Sequence, residues 1–373
     1  MKIIKIEPSD QYRVQQFIDL PFRIYKDIEQ WVPPLATDSK AIFDLQKNPF
    51  YKHSTASFFL AVLDDGSAVG RLAVLNNRNF NSFNQTRIAF FCLFECYQDQ
   101  QVVQELFNAG FDWARKQGLE SITGPRGFSA LDGMGMLIKG FEHRPAFGIP
   151  YNPAYYPDLV ELIGFETQSD IVSGSLGTNI SFPEKIHKVS ELVQQRKGLK
   201  IVSFRNKREL RRMVPKITAM YNEILGSTSG SVPLSDEEAI GVANQLIWFA
   251  NPHLIKIIEK NNKPVGFLFA YPDISAALQR TKGQIYPFGW IHLLWEMRRT
   301  KWVNINGAGI IEQYQGLGGT AILFSEMYKS VLEGGFKHAE IVQIGVDNDK
   351  MQRELREIGI DFYKTHRMYQ RVL

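Results

Sequence analysis

Apolar runs separated by a polar turn predict strand–turn–strand segments in two distant parts of the chain. Residues 60–74 begin with an apolar run, turn at Asp65-Gly66 and continue as an apolar strand after Gly70. Residues 254–270 follow the same order, with Gly266 in the corresponding place. Gly70 and Gly266 lie 196 positions apart. The hydropathy pattern therefore indicates a motif that occurs twice.

A second pattern also occurs twice, towards the end of each half. One short amphipathic stretch predicts a helix that stops at Gly164, and an equivalent stretch stops at Gly359, 195 positions later. Glycine ends helices because it tolerates the left-handed backbone conformation. Two nearly equal offsets favour an internal repeat over two unrelated α/β domains, which remain the alternative. A length of 373 residues also fits two domains.

The repeat sets the predicted domain bounds. We expect a first domain at 1–173, a linker with a connecting helix at 174–197, and a second domain at 198–373.

The second half contains a strand, a glycine loop and a helix in direct succession. Residues 302–311 predict the strand, and the loop after it contains Gly316, Gly318 and Gly319. The apolar residues of 321–332 then recur at helical spacing. Glycines let the backbone approach phosphate oxygens, and a helix N-terminus offers free N–H groups and partial positive charge. The succession predicts an anion site.

Two well-known loop types fit this succession poorly. A P-loop requires a lysine after its last glycine, and the sequence has none there. A dinucleotide fold would be satisfied by Gly316, Gly318 and Ala321, with Asp347 as the acid that binds the ribose. Too few residues follow Asp347, however, for a doubly wound sheet to continue.

A third loop type is the closest match. Gln313-x-x-Gly316-x-Gly318 resembles the Gln/Arg-x-x-Gly-x-Gly/Ala signature of the GNAT superfamily of N-acetyltransferases. The helix that starts at Asn348 and a terminal hairpin over 362–372 also resemble that family. The resemblance covers the second half of the chain and the first half more faintly. It is strongest to a bacterial group of tandem-domain members whose substrate is unassigned.

The resemblance implies an α/β fold, more narrowly α+β, with two tandem GNAT-like domains. Each would be a mixed, mostly antiparallel sheet flanked by helices. The cosubstrate would be acetyl-CoA or another acyl-CoA, and the acceptor a small-molecule or peptide amine. A splayed strand would pair with the pantetheine amides, and the loop would hold the pyrophosphate. The cofactor-binding positions implied are Ala308, Gly309, Ile310, Gln313, Tyr314, Gln315, Gly316, Leu317, Gly318, Gly319, Thr320 and Asn348.

Polar residues outside the loop are candidates for catalysis and acceptor binding. By resemblance, Asn348 would lie near the thiol. Asp273 ends a predicted core strand, where a carboxylate would orient an amine. Four further residues lie in the helix end that shapes the acceptor site in the family, or in a Gly-, Pro- and aromatic-rich loop of the first half. These candidate substrate-binding residues are Tyr221, Asn222, Tyr151 and Asn152.

The sequence departs from the family pattern in three places. Gln315 replaces a frequent arginine, and Leu355 replaces a frequent tyrosine that acts as general acid to the thiolate. The first half has no glycine at the corresponding loop, and Asp99 there would repel a phosphate. We therefore expect only the second domain to hold the cofactor. The alternative to an N-acyltransferase is a sensor or scaffold that binds acyl-CoA without turnover.

Composition and charge limit the classes of partner and ligand that we expect. A net charge of +4 does not demand nucleic acid. No apolar stretch is long enough for a signal peptide or a membrane span, so we expect a cytoplasmic protein with no membrane partner. Cys92 and Cys96 are expected to be buried free thiols, and no ligand spacing implies a metal. Trp290 and Trp295 lie on one apparent amphipathic segment and are expected in the core. The oligomeric state is not indicated.

Overall fold

The chain divides into two compact units, and neither is a continuous stretch of sequence. The computed structural model describes residues 1–129, 132–177, 182–228 and 230–373, so part of the predicted linker, 178–181, lies outside the described residues. The first unit contains Met1–Val172, Ser275–Leu294 and Lys364–Leu373, and the second contains Ser173–Ile274 and Trp295–Tyr363. The predicted bounds of the two domains stay a prediction, to which the structure adds that both units are assembled from separate segments.

Strands and helices are interspersed along the chain, as in a mixed α/β fold. The strands are β1 (Lys2–Ile6), β2 (Thr55–Val62), β3 (Ala68–Asn76), β4 (Ile88–Cys96), β5 (Ser121–Gly124), β6 (Met136–Lys139), β7 (Glu166–Gly177), β8 (Leu199–Val202), β9 (Ile255–Lys260), β10 (Lys263–Pro272), β11 (Trp302–Ile310), β12 (His338–Gly345) and β13 (Asp361–Val372). The α-helices are α1 (Gln11–Ile24), α2 (Ala36–Ala41), α3 (Arg78–Asn84), α4 (Gln100–Lys116), α5 (Tyr156–Leu162), α6 (Glu184–Lys197), α7 (Lys207–Gly226), α8 (Asp236–Phe249), α9 (Ser275–Thr281), α10 (Gly289–Arg299), α11 (Gly319–Glu333) and α12 (Asp349–Ile358).

The first unit is a mixed sheet with an aromatic core. Strands β1 to β4 pair antiparallel in sequence order, and β5 joins β4 in parallel. The last part of β13 pairs antiparallel with β5, with Tyr369 opposite Gly124. Helix α4 packs closely on this sheet, because a Cβ on Gly110 would lie 2.9 Å from the Val74 side chain. The predicted terminal hairpin is wrong, since 361–372 form one strand without a turn.

The second unit repeats this order. Strands β8, β9, β10 and β11 pair antiparallel, and β12 joins β11 in parallel. Helix α11 buries its apolar side against one face of the sheet, including Leu323 and Met327. Each unit therefore has the mixed, mostly antiparallel sheet that the resemblance implied. The two predicted helix stops are also confirmed, with Gly164 at φ 87° and Gly359 at φ 99°.

Nothing in the described part of the chain is built to span a bilayer, because none of its helices combines the necessary length with the necessary apolar character.

Candidate functional site

Two parallel strands of the second unit separate part-way along their length. β11 and β12 pair from Trp302 opposite His338 to Ile305 opposite Ile341. Both strands then continue, β11 to Ile310 and β12 to Gly345. Beyond this pairing, the backbone N–H of Gln343 donates to Ser173 Oγ of β7, the neighbour of β12 on the side away from β11, at 3.0 Å. We call the unpaired region between the ends of β11 and β12 the gap.

A β-bulge in β11 explains why the gap opens there. Leu268 lies opposite Ala308 and Ala270 opposite Ile305, so β11 contains one more residue than β10 between these pairs. A bulge of this kind bends its strand away from the regular ladder. Gly307 takes the required backbone conformation at φ 96°, which a side chain would make costly.

The bulged strand presents backbone groups to the gap. The N–H of Ile311 donates to Val265 O of β10 at 2.9 Å. Successive N–H groups of a strand point in opposite directions, so the N–H of Ile310 points towards the gap. The carbonyl of Ile310 accepts from Gln315 Nε2 at 3.1 Å. This edge can pair with the amides of an extended ligand, as an added strand would.

The glycine loop, residues 313–318, leads from the gap to an uncapped helix. Gly316 and Gly318 have φ values of 74° and 89°, in the left-handed region that favours glycine. Gly318 also lies against α6, because a Cβ there would be 2.6 Å from Val193 Cγ2. Among the residues that the structure describes, no side chain caps the N-terminus of α11. Its first N–H groups therefore have the arrangement that binds anions.

Lys260 is a cation beside the loop that the sequence did not single out. Its Nζ lies 5.5 Å from the centre of the Tyr314 ring. Lys260 ends β9, and only the folding of the sheet brings it to the loop. It can supply positive charge near the position where the family often has an arginine and this chain has Gln315.

A polar cluster lies on the sheet face opposite α11, where β11 and β12 part. Asn304 Nδ2 donates to Asp273 Oδ1 at 3.1 Å, and Asn306 Nδ2 approaches Tyr271 OH at 3.4 Å. Glu340 lies directly opposite Asn304 across the two strands. Four strands or their ends thus contribute the polar cluster, which consists of Tyr271, Asp273, Asn304, Asn306, Glu340 and Tyr363.

Burial fixes the charge state of the two phenols in the cluster. Desolvation raises the pKa of Tyr271 above its ordinary value. Desolvation also raises the pKa of Tyr363, and the Glu340 carboxylate, to which Tyr363 is hydrogen-bonded, adds to the effect. Both phenols therefore stay protonated at neutral pH and can donate hydrogen bonds. The carboxylates of Asp273 and Glu340 are both almost fully buried.

The structure shows what the predicted residues of the second unit contact. Asn348 lies just beyond β12, where its side chain accepts from the N–H of Met351 at 3.2 Å and caps α12. Tyr221 packs on the Phe267 ring, and the amide of Asn222 bonds both N–H and C=O of Leu234. Leu355 is 0% exposed in the core, so the family's tyrosine position does not face open space here.

Gly309 shows how closely α7 approaches the bulged strand. A Cβ on this residue would lie 2.9 Å from the Phe267 ring and 3.0 Å from Ile224 Cγ2. A side chain at this position would push α7 away from β11. The glycine is therefore needed for packing on the face that carries the polar cluster.

Tyr151 and Asn152 belong to the first unit, where both are held by backbone groups. Tyr151 OH donates to Phe141 O at 2.7 Å. The Asn152 side chain accepts from Leu137 N and donates to Leu137 O, at 2.6 and 3.1 Å. In these positions they order the loop that follows β6.

The first unit has the same bulge but fills its own gap. Arg71 lies opposite Glu95 and Ala73 opposite Cys92, so β4 contains one extra residue, and Leu93 there has φ 52°. Cys96 pairs with Gly70 just as Ile310 pairs with Gly266.

Two tyrosines and an aspartate occupy the positions that are open in the second unit. The N–H of Cys96 donates to Tyr156 OH at 2.8 Å, and Tyr155 OH donates to the Cys96 carbonyl at 2.9 Å. The Asp99 carboxylate caps α4 by accepting from the N–H groups of Gln101 and Val102. Side chains of the protein thus bond both the strand edge and the helix N-terminus.

A buried network supports one of these tyrosines. Tyr156 OH and Tyr25 OH both donate to Glu95 Oε2, at 2.8 and 2.7 Å, and Arg71 lies 3.5 Å from the other carboxylate oxygen. Burial raises the pKa of Glu95, against the opposing effect of Arg71. The sequence did not predict this network, because its members come from four elements that are distant in sequence.

Comparison with known proteins supports the fold. No family model matches the chain. It is 25% identical to Protein YghO of Escherichia coli over 96% of this chain and 92% of that protein. It is also 25% identical to the bacterial ceramide synthase of Caulobacter vibrioides over 96% and 95% of the two chains. The structure matches a tandem GNAT protein from the clavulanic acid biosynthesis pathway with a TM-score of 0.57 at 9% identity, covering 100% of this chain and 98% of that one.

Proposed function

We propose, starting from the tandem GNAT fold of this chain, that it is an acyl-CoA-dependent N-acyltransferase whose second unit holds the cosubstrate. The observation that carries the proposal is the gap between β11 and β12, which ends at an uncapped helix N-terminus. Only an elongated ligand with amides in its middle and phosphates at one end uses both features. Acyl-CoA has that constitution.

Different residues of the second unit would bind different parts of the cosubstrate. The N–H of Ile310 and its neighbours in Ala308–Ile310 would pair with the pantetheine amides. Gly316, Gly318 and the first turn of α11 would hold the pyrophosphate, with Lys260 as a nearby cation. The first unit offers no such site, because Tyr155, Tyr156 and Asp99 bond the corresponding groups.

The polar cluster supports a chemical step at the base of the gap. In the transfer, the amine nitrogen forms a bond to the thioester carbonyl carbon and the bond from that carbon to sulfur breaks. The amine loses one proton, and the leaving thiolate gains one. Asp273 and Glu340 are the carboxylates placed to accept the amine proton. Tyr271 and Tyr363, which stay protonated, are placed to hydrogen-bond the developing charge.

A sensor or scaffold that binds acyl-CoA without turnover is the competing function. Leu355 favours it, because this buried side chain supplies no proton to the thiolate. The polar cluster favours an enzyme, since burying two carboxylates is costly and a site for binding alone has no need of them. Positioning the two substrates can also supply much of the rate without a dedicated acid.

The acyl donor to test first is acetyl-CoA, with longer acyl-CoAs beside it. A relative that is 25% identical is named a ceramide synthase, and a ceramide is the amide of a fatty acid. We therefore include a long-chain acyl-CoA among the donors and a long-chain amino alcohol among the acceptors.

Calorimetry with acetyl-CoA and with NAD tests the proposal, and acetyl-CoA alone should bind, once per chain. Gly316→Glu should lower the affinity for acetyl-CoA by about a hundredfold or more, because like charges a few Å apart repel by several kcal/mol near a protein surface. Thiol release in the presence of amines then distinguishes an enzyme from a binder. Measurable NAD binding without acetyl-CoA binding would overturn the assignment.

Two variants control for effects other than charge. Gly316→Ala keeps the site neutral and shares the backbone strain of Gly316→Glu at φ 74°, and a Cβ there meets no described heavy atom within 4 Å. Its affinity for acetyl-CoA should therefore fall much less than that of Gly316→Glu. Gln100→Glu places the same carboxylate at the first turn of α4 in the first unit and should leave the affinity unchanged. Equal losses in Gly316→Glu and Gln100→Glu would place the cosubstrate elsewhere.

A further inference from the structure

An apolar stripe faces solvent on the segment 286–299. Tyr286 and Phe288 are 75% and 69% exposed, and they lead into helix α10. The exposed apolar residues of α10 recur at the helical spacing that puts them on one side of the helix. Leu293, on the opposite side, is 0% exposed. We define the apolar stripe as the exposed residues Tyr286, Phe288, Trp290, Ile291, Leu294 and Trp295.

This exposure reverses what the composition of the helix predicts. Trp290 and Trp295, which the sequence placed in the core, are 42% and 48% exposed. Single exposed apolar residues are ordinary, whereas a contiguous group of them marks an interaction surface. Tryptophan and tyrosine, with an apolar body and a polar edge, are the residues enriched where water meets lipid.

The segment is anchored at its start, so the stripe is held in place. Gln279 of α9 donates to the carbonyl of Glu29 at 2.7 Å and to that of Trp31 at 3.0 Å. The loop after α9 also packs tightly, because a Cβ on Gly283 would lie 2.0 Å from Pro34 O. The first unit therefore holds residues 286–294 of the stripe at its surface and does not bury them.

Positive charge flanks the stripe along the sequence. Between residues 275 and 301 the sequence has a single carboxylate, Glu296, and five cations. These are the exposed residues Arg280, Lys282, Arg298, Arg299 and Lys301. Residues 275–301 thus carry a net charge of +4, which equals the net charge of the whole chain. Arg299 also lies 4.6 Å from the Trp295 ring centre, in a cation–π arrangement.

We propose that the apolar stripe docks the protein on the surface of a lipid bilayer that contains anionic headgroups. The aromatic residues would enter the boundary between headgroups and acyl chains, and the flanking cations would contact the headgroup phosphates. A lipid surface is favoured over a protein partner because the stripe combines aromatic side chains with one sign of charge. Surface docking needs no spanning helix, so it is compatible with the absence of one among the described residues.

Vesicle flotation with the full chain tests the docking. Vesicles of phosphatidylcholine with phosphatidylglycerol as a minor component should carry the protein, and vesicles of phosphatidylcholine alone should carry little. Trp290→Ser with Ile291→Ser should weaken binding by about tenfold or more, since binding strength follows buried apolar area. Arg298→Gln with Arg299→Gln should weaken binding to the anionic vesicles by about tenfold or more and reduce its salt dependence.

A matched pair of exposed apolar residues in the first unit provides the control. Tyr12→Ser with Leu162→Ser removes side chains that are 64% and 62% exposed, and vesicle binding should not change. Calorimetry should give the same acetyl-CoA affinity for the stripe variants, so a failure of docking is distinct from a failure of the proposed function. An equal loss of vesicle binding in the control would overturn the proposal. So would a chain that ignores both vesicles but forms dimers that Trp290→Ser abolishes, since a second copy would then cover the stripe.

Discussion

Glu340 is the residue on which the proposed chemistry depends most. It is 4% exposed, lies opposite Asn304 at the base of the gap and accepts a hydrogen bond from Tyr363. A buried carboxylate keeps a charge only when hydrogen bonds compensate for lost hydration. Asp273 has a similar place, with the amide of Asn304 as its donor.

Glu340→Gln should separate binding from turnover. The amide keeps the shape and most hydrogen bonds of the carboxylate but accepts no proton from an amine. The kcat of thiol release should fall by about a hundredfold or more, the usual range for a lost general base. The affinity for acetyl-CoA, measured by calorimetry, should change little, because the phosphate and amide contacts remain.

Asp273→Asn is the matched variant, since it alters the second buried carboxylate of the same cluster. The variant with the larger loss of kcat identifies the base. If neither variant changes a measurable kcat of the parent chain, the polar cluster has no part in proton transfer and only supports the sheet.

At the scale of single residues, the sequence indicated the glycines and one of the two acids, Asp273, but not Glu340. Gly316 and Gly318 could be predicted to bind an anion because their spacing and the helix after them are local features. Glu340 could not, since it lies in an apolar strand that gives no sign of which residue faces it. Its role is visible only after β10, β11 and β12 are brought side by side.

Helices α4 and α11 are corresponding elements with different N-termini. Asp99 caps α4 with two hydrogen bonds, of 2.9 Å to Gln101 N and 3.2 Å to Val102 N. Helix α11 begins at Gly319, and its N-cap residue, Gly318, has no side chain to accept from the first N–H groups. The N-terminus of α4 thus binds the Asp99 carboxylate of the chain itself. The N-terminus of α11 is left to an external anion.

Asp99→Ala should therefore affect stability and not cosubstrate binding. Loss of an N-cap typically lowers the free energy of unfolding by about 1 kcal/mol. Urea unfolding followed by circular dichroism measures this loss, and calorimetry should still give one acetyl-CoA per chain. Asp112→Ala is the control, because its exposed contact with Arg115, at 3.3 Å, should contribute less than about 0.5 kcal/mol. Equal losses in the two variants would mean that Asp99 does not cap α4.

The sequence predicted the strands and helices better than the irregularities within them. Hydropathy predicted the strand that ends near Ile311 and the helix that follows the glycine loop. Hydropathy did not predict the bulge at Gly307, because a bulge depends on the register with β10. The sequence of a single strand does not encode that register. The gap, and with it the geometry of the candidate site, follows from that register.

At the scale of the whole molecule, the units do not follow the order of the sequence. The repeat predicted two domains in succession, yet Lys364–Leu373 belongs to the first unit. The sequence predicted a hairpin for 362–372, and it does not say which sheet these residues join. Pairing with β5 and contacts with the aromatic core of the first unit decide that.

Tyr369 tests this assignment. It is 0% exposed in the core of the first unit, its carbonyl accepts from Thr123 Oγ1 at 2.8 Å, and its hydroxyl donates to Glu161 at 2.8 Å. Tyr369→Ala should lower the free energy of unfolding by about 3–5 kcal/mol, because it leaves a large cavity and an unpaired partner. Val372→Ala alters the same strand at a side chain that is 81% exposed and should cost less than about 0.5 kcal/mol. Urea unfolding measures both, and a similar small effect for the two would mean that the end of the chain packs on the outside of the first unit. A large effect of Tyr369→Ala alone would establish that the first unit needs the last strand, so that residues 1–172 do not form a stable domain without it.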